Sequence, residues 1–139
     1  MKKIPIYEPK LSGNEKKYVN QCLDSVWISS KGEFISKFEE KFSNFLNVGY
    51  STSVSNGTVA LHLALAALGI GKGDEVIVPT LTYIASVNAI AYVGAEPVFA
   101  DSHNNTWNID PDKLLELITP KTKAIMVVHL YGNSCDMDS

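Results

Sequence analysis

The chain has 139 residues, 45% of them hydrophobic and 19% charged, which suits about one domain and excludes a mainly disordered protein. Its 12 Lys+Arg against 15 Asp+Glu leave a net charge of −3, which removes the electrostatic basis for binding nucleic acid or an anionic membrane. The two cysteines, Cys22 and Cys135, stand far apart and in no CxxC pattern, which argues against a disulfide scaffold or a zinc ribbon and suits a reducing cytoplasm. The longest apolar stretch, Val59 to Ile70, contains His62 and is too short to span a bilayer. At the N-terminus Lys2 and Lys3 are followed by Pro5, Glu8 and Pro9, which interrupt any signal-peptide core.

Taken in chain order, Ser12-Gly13-Asn14-Glu15 has the S-x-x-E form of a capping box. Tyr18, Val19, Cys22 and Leu23 follow at helical spacing and predict a short amphipathic helix ending near Ser25. Val26 to Gly32 reads as a loop. Phe34, Phe38, Phe42 and Phe45 recur every three or four residues, the stripe of a second helix, and packing into a core is the simplest role for them. From Tyr50 the pattern changes. Strands are predicted at Tyr50–Val54, Glu75–Val78, Glu96–Ala100 and Ala124–His129. Helices are predicted at Thr58–Leu68, Ala85–Tyr92 and from Asp110-Pro111 to about Ile118. Four apolar strands alternating with helices predict an α/β domain with a mostly parallel sheet. The chain stops just after the fourth predicted strand, where another helix is expected, so it reads as cut within a domain.

Three segments sit where such a sheet binds ligands. Ser55-Asn56-Gly57-Thr58 lies between a strand and a helix. The first N–H groups of that helix lack intrahelical partners and stand at the positive end of its dipole, so an anion such as phosphate fits there. The same residues also read as a plain helix cap. Pro79-Thr80-Leu81-Thr82-Tyr83 ends the next strand, and the Tyr83 ring either stacks on a flat ligand or packs on a helix. His129, Tyr131 and Gly132 end the fourth predicted strand at the same edge, with a structural role the commoner one for a lone histidine. Gly69-Ile70-Gly71-Lys72-Gly73 is not a phosphate loop, because it follows a helix and opens a strand; it reads as a helix stop and turn. His62, on a helix, and His103, in a loop, have no metal-ligand partner at ligand spacing, and no metal is expected.

Together Ser55-Asn56-Gly57-Thr58-Val59-Ala60-Leu61, Gly73 to Tyr83 and Val128-His129-Leu130-Tyr131-Gly132 resemble the DegT/DnrJ/EryC1/StrS sugar aminotransferases. The resemblance implies part of the large domain of the aspartate aminotransferase fold (fold type I). It implies residues 1–48 as N-terminal helices with an active-site loop, and 49–139 as an incomplete α/β domain that binds pyridoxal 5′-phosphate. By position, Gly57 and Thr58 would hold the cofactor phosphate, Asn56 would lie against cofactor or substrate, and Tyr83 would stack on the pyridine ring. Trp27 and Ser29, in the loop from Trp27 to Gly32, would contact the substrate. The stretches Leu23 to Gly32 and Pro79 to Ile90 look closest to members that aminate a GDP-linked 4-keto-6-deoxymannose for O-antigen synthesis. Glutamate as amino donor, a homodimer when complete and a cytoplasmic setting are implied with it. The family's Schiff-base lysine, and the carboxylate that pairs with the pyridine nitrogen, are expected beyond Ser139. Lys31 and Lys72 do not fall on the lysine motif. The chain alone is therefore expected to be inactive, with a non-catalytic remnant that binds phosphate or pairs with a subunit as the alternative.

Overall fold

The computed structural model describes Ile4, Pro5 and residues 7–139, so the lysines at positions 2 and 3 lie outside the described residues. Two compact units result, one ending at Ser53 and one beginning at Val54.

Among the described residues the first unit contains two helices, α1 (Glu15–Asp24) and α2 (Glu33–Leu46). The capping box does not form. Asn14 rather than Ser12 occupies the cap position, with no side-chain cap bond. The Glu15 carboxylate instead accepts the Gly13 N–H at 2.9 Å. Helix α2 ends as Asn47 turns left-handed (φ 54°), and the Val48 N–H donates back to the Ser43 carbonyl at 3.0 Å. Such an end satisfies carbonyls that have no partner further along the helix.

Two further expectations fail in this unit. The phenylalanine stripe lies along α2, but it is not a core. Phe38, Phe42 and Phe45 are exposed, Phe45 to 83%. Tyr18 of α1 meets Phe34 at 5.1 Å between ring centroids, and Phe38 stacks on Phe42 at 5.6 Å. The ten-residue α1 leaves much of the stripe on the fourteen-residue α2 uncovered, so the rings line an open groove of about 810 Å³ together with Val19, Cys22 and Lys41. The strand predicted at Tyr50–Val54 is also absent. A strand exists only through its ladder, and no partner strand runs beside this segment among the described residues. Its polar groups are met by α2 instead. One Glu39 carboxylate oxygen accepts both the Ser53 N–H and the Ser53 hydroxyl at 2.8 Å, and the Ser43 hydroxyl donates to that of Ser51 at 2.9 Å.

The second unit is built on three parallel strands, β1 (Glu75–Pro79), β2 (Glu96–Ala100) and β3 (Thr122–Ile125), in the order β2-β1-β3. Helix α3 (Gly57–Ala67) precedes β1, α4 (Ile84–Tyr92) joins β1 to β2, and α5 (Pro111–Leu117) joins β2 to β3. The last strand is shorter than the predicted Ala124–His129. Beyond Ile125 one further bond to β1 follows, from the Met126 N–H to the Ile77 carbonyl at 2.7 Å, and the chain then leaves the sheet.

Alternation along β1 divides the core in two. Val76 and Val78 point to one face and are completely buried with Leu65 of α3 and Ala89 and Ile90 of α4. Ile77 points to the other face and packs with Ala100, Ile109 and Cys135, under Leu114 and Leu117 of α5. Each such side chain contributes roughly 1.5–3 kcal/mol by leaving water. Placing α4 and α5 on opposite faces lets β2 and β3 flank β1, as right-handed crossovers require.

Glycines end two of the helices, at Gly69 as the sequence suggests and also at Gly94. Gly69 (φ +72°) and Gly94 (φ +79°) adopt the left-handed conformation that glycine reaches without steric cost. The Ile70 N–H then donates to the Leu65 carbonyl, and the Ala95 N–H to that of Ile90. All four of these residues are buried, so each helix stop is also a core contact.

Candidate functional site

A parallel sheet gathers all its carboxyl ends at one edge. The chain leaves β1 for β2 on one side and returns past β1 to β3 on the other, so the strand order reverses between β1 and β3. Open α/β sheets bind ligands at such a switch point, in the crevice outside the strand ends.

Leaving β1 after the buried Pro79, the chain is held for one more step, with the Thr80 N–H on the Ala100 carbonyl at 2.9 Å. It then turns into α4. The hydroxyls of Thr82 and Ser86 share a hydrogen bond of 2.9 Å, and the Ser86 N–H donates to the Tyr83 carbonyl. These bonds fix the Tyr83 backbone, while its ring is 76% exposed. The ring is thus free to meet a ligand and is not packed on a helix. On the β3 side the chain reaches His129 and the turn Leu130–Gly132. The His129 Nδ1 accepts the Cys135 N–H at 3.0 Å, a structural role.

Ser55 to Thr58 opens α3. Asn56 is extended, and its Oδ1 accepts the Val59 N–H at 3.0 Å. Its carbonyl accepts the Ala60 N–H at 3.1 Å. Among the described residues the N–H groups of Gly57 and Thr58 have no acceptor. The cap and anion readings are therefore compatible, because they use different donors. The first turn of α3 contains no acidic residue to neutralise its positive end. A Cβ added at Gly57 would meet nothing within 4 Å, so the space a ligand would use beside these donors is open. A phosphate group fits this donor set.

Trp27 and Ser29 belong to the first unit. Trp27 is 56% exposed, and Ser29 is exposed too. The Gly32 N–H donates to the Ser29 carbonyl at 3.2 Å. A Cβ on Gly32 would stand 3.3 Å from the Trp27 carbonyl oxygen, so glycine permits this closely folded loop.

Sequence reasoning missed Asn108. Its side chain is 3% exposed; its Nδ2 donates to the Asn133 carbonyl at 3.0 Å and its Oδ1 accepts the Leu130 N–H at 3.1 Å. Among the described residues no cluster of His, Cys, Asp and Glu could hold a metal ion. No helix there is long and apolar enough to cross a membrane.

The profile of the DegT/DnrJ/EryC1/StrS aminotransferase family matches residues 9–139. The chain is 67% identical over 138 residues to GDP-perosamine synthase of Escherichia coli O157:H7, covering 99% of this chain and 38% of that protein. It is 56% identical over 136 residues to GDP-perosamine synthase of Vibrio cholerae, covering 98% of this chain and 37% of the relative. Among solved structures it is similar to NtdA from Bacillus subtilis with bound cofactor PMP, with a TM-score of 0.81, 38% identity, and coverage of 92% of this chain and 30% of that one. The chain thus spans a little over a third of the length of these curated relatives. It belongs to the DegT/DnrJ/EryC1/StrS aminotransferase family and carries part of that family's α/β fold.

Proposed function

We propose that the chain is the N-terminal part of a nucleotide-sugar aminotransferase. In this reading the whole protein binds pyridoxal 5′-phosphate and moves the amino group of glutamate onto C4 of a GDP-linked 4-keto-6-deoxymannose. It works as a homodimer in the cytoplasm and supplies an amino sugar for O-antigen polysaccharide. The observation that carries the reading is the 67% identity to a GDP-perosamine synthase along almost the whole chain, together with two free N–H donors where a cofactor phosphate is expected.

The chain's own residues have defined tasks in that scheme. Gly57 and Thr58 hold the phosphate with backbone N–H groups, and the Thr58 hydroxyl adds a contact. Asn56 fixes the first turn of α3 and lies against cofactor or substrate. Tyr83 covers a face of the pyridine ring. Trp27 and Ser29 contact the nucleotide-sugar from the loop between α1 and α2, within the N-terminal segment 1–48, while 49–139 carries the cofactor residues. When bound, the cofactor supplies an electron sink for amino-group exchange. The lysine that carries it and the carboxylate that keeps its ring nitrogen protonated are not among the residues assigned here.

Incubating the purified chain with pyridoxal phosphate, glutamate and a GDP-4-keto-sugar tests the division of labour. The expected outcome is weak, reversible cofactor binding and no amino-sugar product. Turnover above the buffer control, abolished by Gly57→Ala or Tyr83→Ala, would mean that one of the chain's own lysines carries the chemistry.

A further inference from the structure

The start of α3 arranges three groups around one side chain. Asn56 and Gly57 are exposed, and Asn56 is the one asparagine in the chain that is followed by glycine. Its Oδ1 accepts the Val59 N–H at 3.0 Å, and its Nδ2 donates to the Ser55 hydroxyl at 3.3 Å. The Gly57 nitrogen carries a hydrogen with no acceptor among the described residues. These groups match the parts of a ring closure. The Gly57 nitrogen and the Asn56 side-chain carbonyl carbon are the ends of a five-membered ring whose other three atoms are already bonded to one another, which holds nucleophile and electrophile together. The Val59 N–H polarises that carbonyl and stands where an oxyanion would form, at the positive end of the helix dipole. The Ser55 hydroxyl lies against the nitrogen that would leave. Glycine adds no side chain to shield the attacking nitrogen or restrict its backbone.

We propose that Asn56 is a self-modification site, at which the Gly57 nitrogen displaces the side-chain amide. Hydroxide takes the Gly57 N–H proton, and the nitrogen attacks the Asn56 side-chain carbonyl carbon. The oxyanion forms on Oδ1, against the Val59 N–H. Its collapse breaks the bond from that carbon to Nδ2, which takes a proton from water and leaves as ammonia. Water then opens the cyclic imide at either carbonyl, giving aspartate or isoaspartate. The sum consumes one water and releases one ammonia, with nothing oxidised or reduced. An anion bound at the free donors engages the Gly57 N–H and blocks the first step. That protection rests on the reading that Gly57 and Thr58 hold a phosphate; the modification itself does not.

The test ages the purified whole chain at neutral and mildly alkaline pH, with and without inorganic phosphate at matched ionic strength, and follows each asparagine peptide by mass spectrometry. The peptide containing Asn56 is expected to show the mass gain of amide-to-acid exchange before any other, in proportion to hydroxide. It should contain isoaspartate, which only the cyclic imide yields. Gly57→Ala, whose added Cβ meets nothing within 4 Å, should keep its melting point and slow the gain severalfold. Phosphate should slow the gain at Asn56 and not at Asn133, which is followed by serine and reports any direct effect of phosphate on the chemistry. A gain at Asn56 no earlier than at Asn133, an absence of isoaspartate, or an unchanged rate in Gly57→Ala would each overturn the inference. Modification at Asn56 that phosphate leaves untouched would overturn the phosphate reading and leave the modification standing.

Discussion

The two units carry similar kinds of residues and use them differently. The second unit alternates Val76, Ile77 and Val78 across a sheet and receives helices on both faces, so all three are completely buried. The first has a more regular apolar stripe, yet Phe38, Phe42 and Phe45 remain exposed. Periodicity determines which side of a helix is apolar, but burial needs a second surface of matching length. The βα crossovers supply that surface from nearby sequence, and a lone helix pair does not.

The largest effect should separate the cores. Ile77→Ala removes a fully buried side chain and is expected to cost about 2–5 kcal/mol in a denaturant titration. Phe38→Ser, at an exposed position, should change stability by about 0.5 kcal/mol or less. It should also reduce self-association seen by light scattering, since contiguous apolar surface promotes it. Equal costs for the two substitutions would erase the distinction between the units.

Next in size are the ligand residues of the second unit. Thr58→Ala in the complete enzyme should weaken cofactor binding by roughly 1–3 kcal/mol, the scale of a hydrogen bond to a charged group. Gly57→Ala sharpens the point, because the added Cβ meets only open space within the chain. Melting should barely move while phosphate affinity drops. Tyr83→Ala should loosen the cofactor by about 0.5–1.5 kcal/mol, the value of an aromatic pair, with Tyr83→Phe nearly silent. Equal harm from both Tyr83 variants would replace stacking with a role for the hydroxyl.

The smallest effect belongs to the first unit. The Ser53 N–H and hydroxyl hold the Glu39 carboxyl below its ordinary value of 4.5. A lowered value in the folded state means the ionised form is favoured there, so this contact contributes above the ordinary carboxylate range and fades as pH falls through the lowered value. The Ser53 amide shift followed by NMR should titrate below 4.5 in the wild type and stay flat in Glu39→Gln.

Much of the second unit was legible. The strand Glu96–Ala100 was bounded correctly, and Asp110-Pro111 opened a helix, with the Asp110 side chain accepting the Asp112 N–H. These signals are local, resting on cap chemistry and apolar runs. What escaped depended on residues far apart in sequence. Asn108 shows no periodic pattern, and its importance arises from bonds to residues 22 and 25 positions away. Tyr50–Val54 had the composition of a strand but, among the described residues, no neighbouring strand to pair with. Ser12 and Glu15 had the spacing of a capping box, yet Glu15 met a nearer donor at Gly13. Of the candidate site, the motif at Ser55 to Thr58 was legible, whereas the way its donors are shared was not.

That sharing has a consequence for which caps the site can tolerate. Asparagine and aspartate cap helices about equally well, so Asn56→Asp should leave the bond to the Val59 N–H intact and α3 as stable as before. It would nevertheless install a permanent negative charge beside the two donors left free for an anion. The carboxylate would act as a built-in competitor, neutralising the helix end that a phosphate would otherwise neutralise. An uncharged cap thus keeps the positive end of α3 available, and exchanging one amide for one acid would turn a receptive helix end into one already occupied.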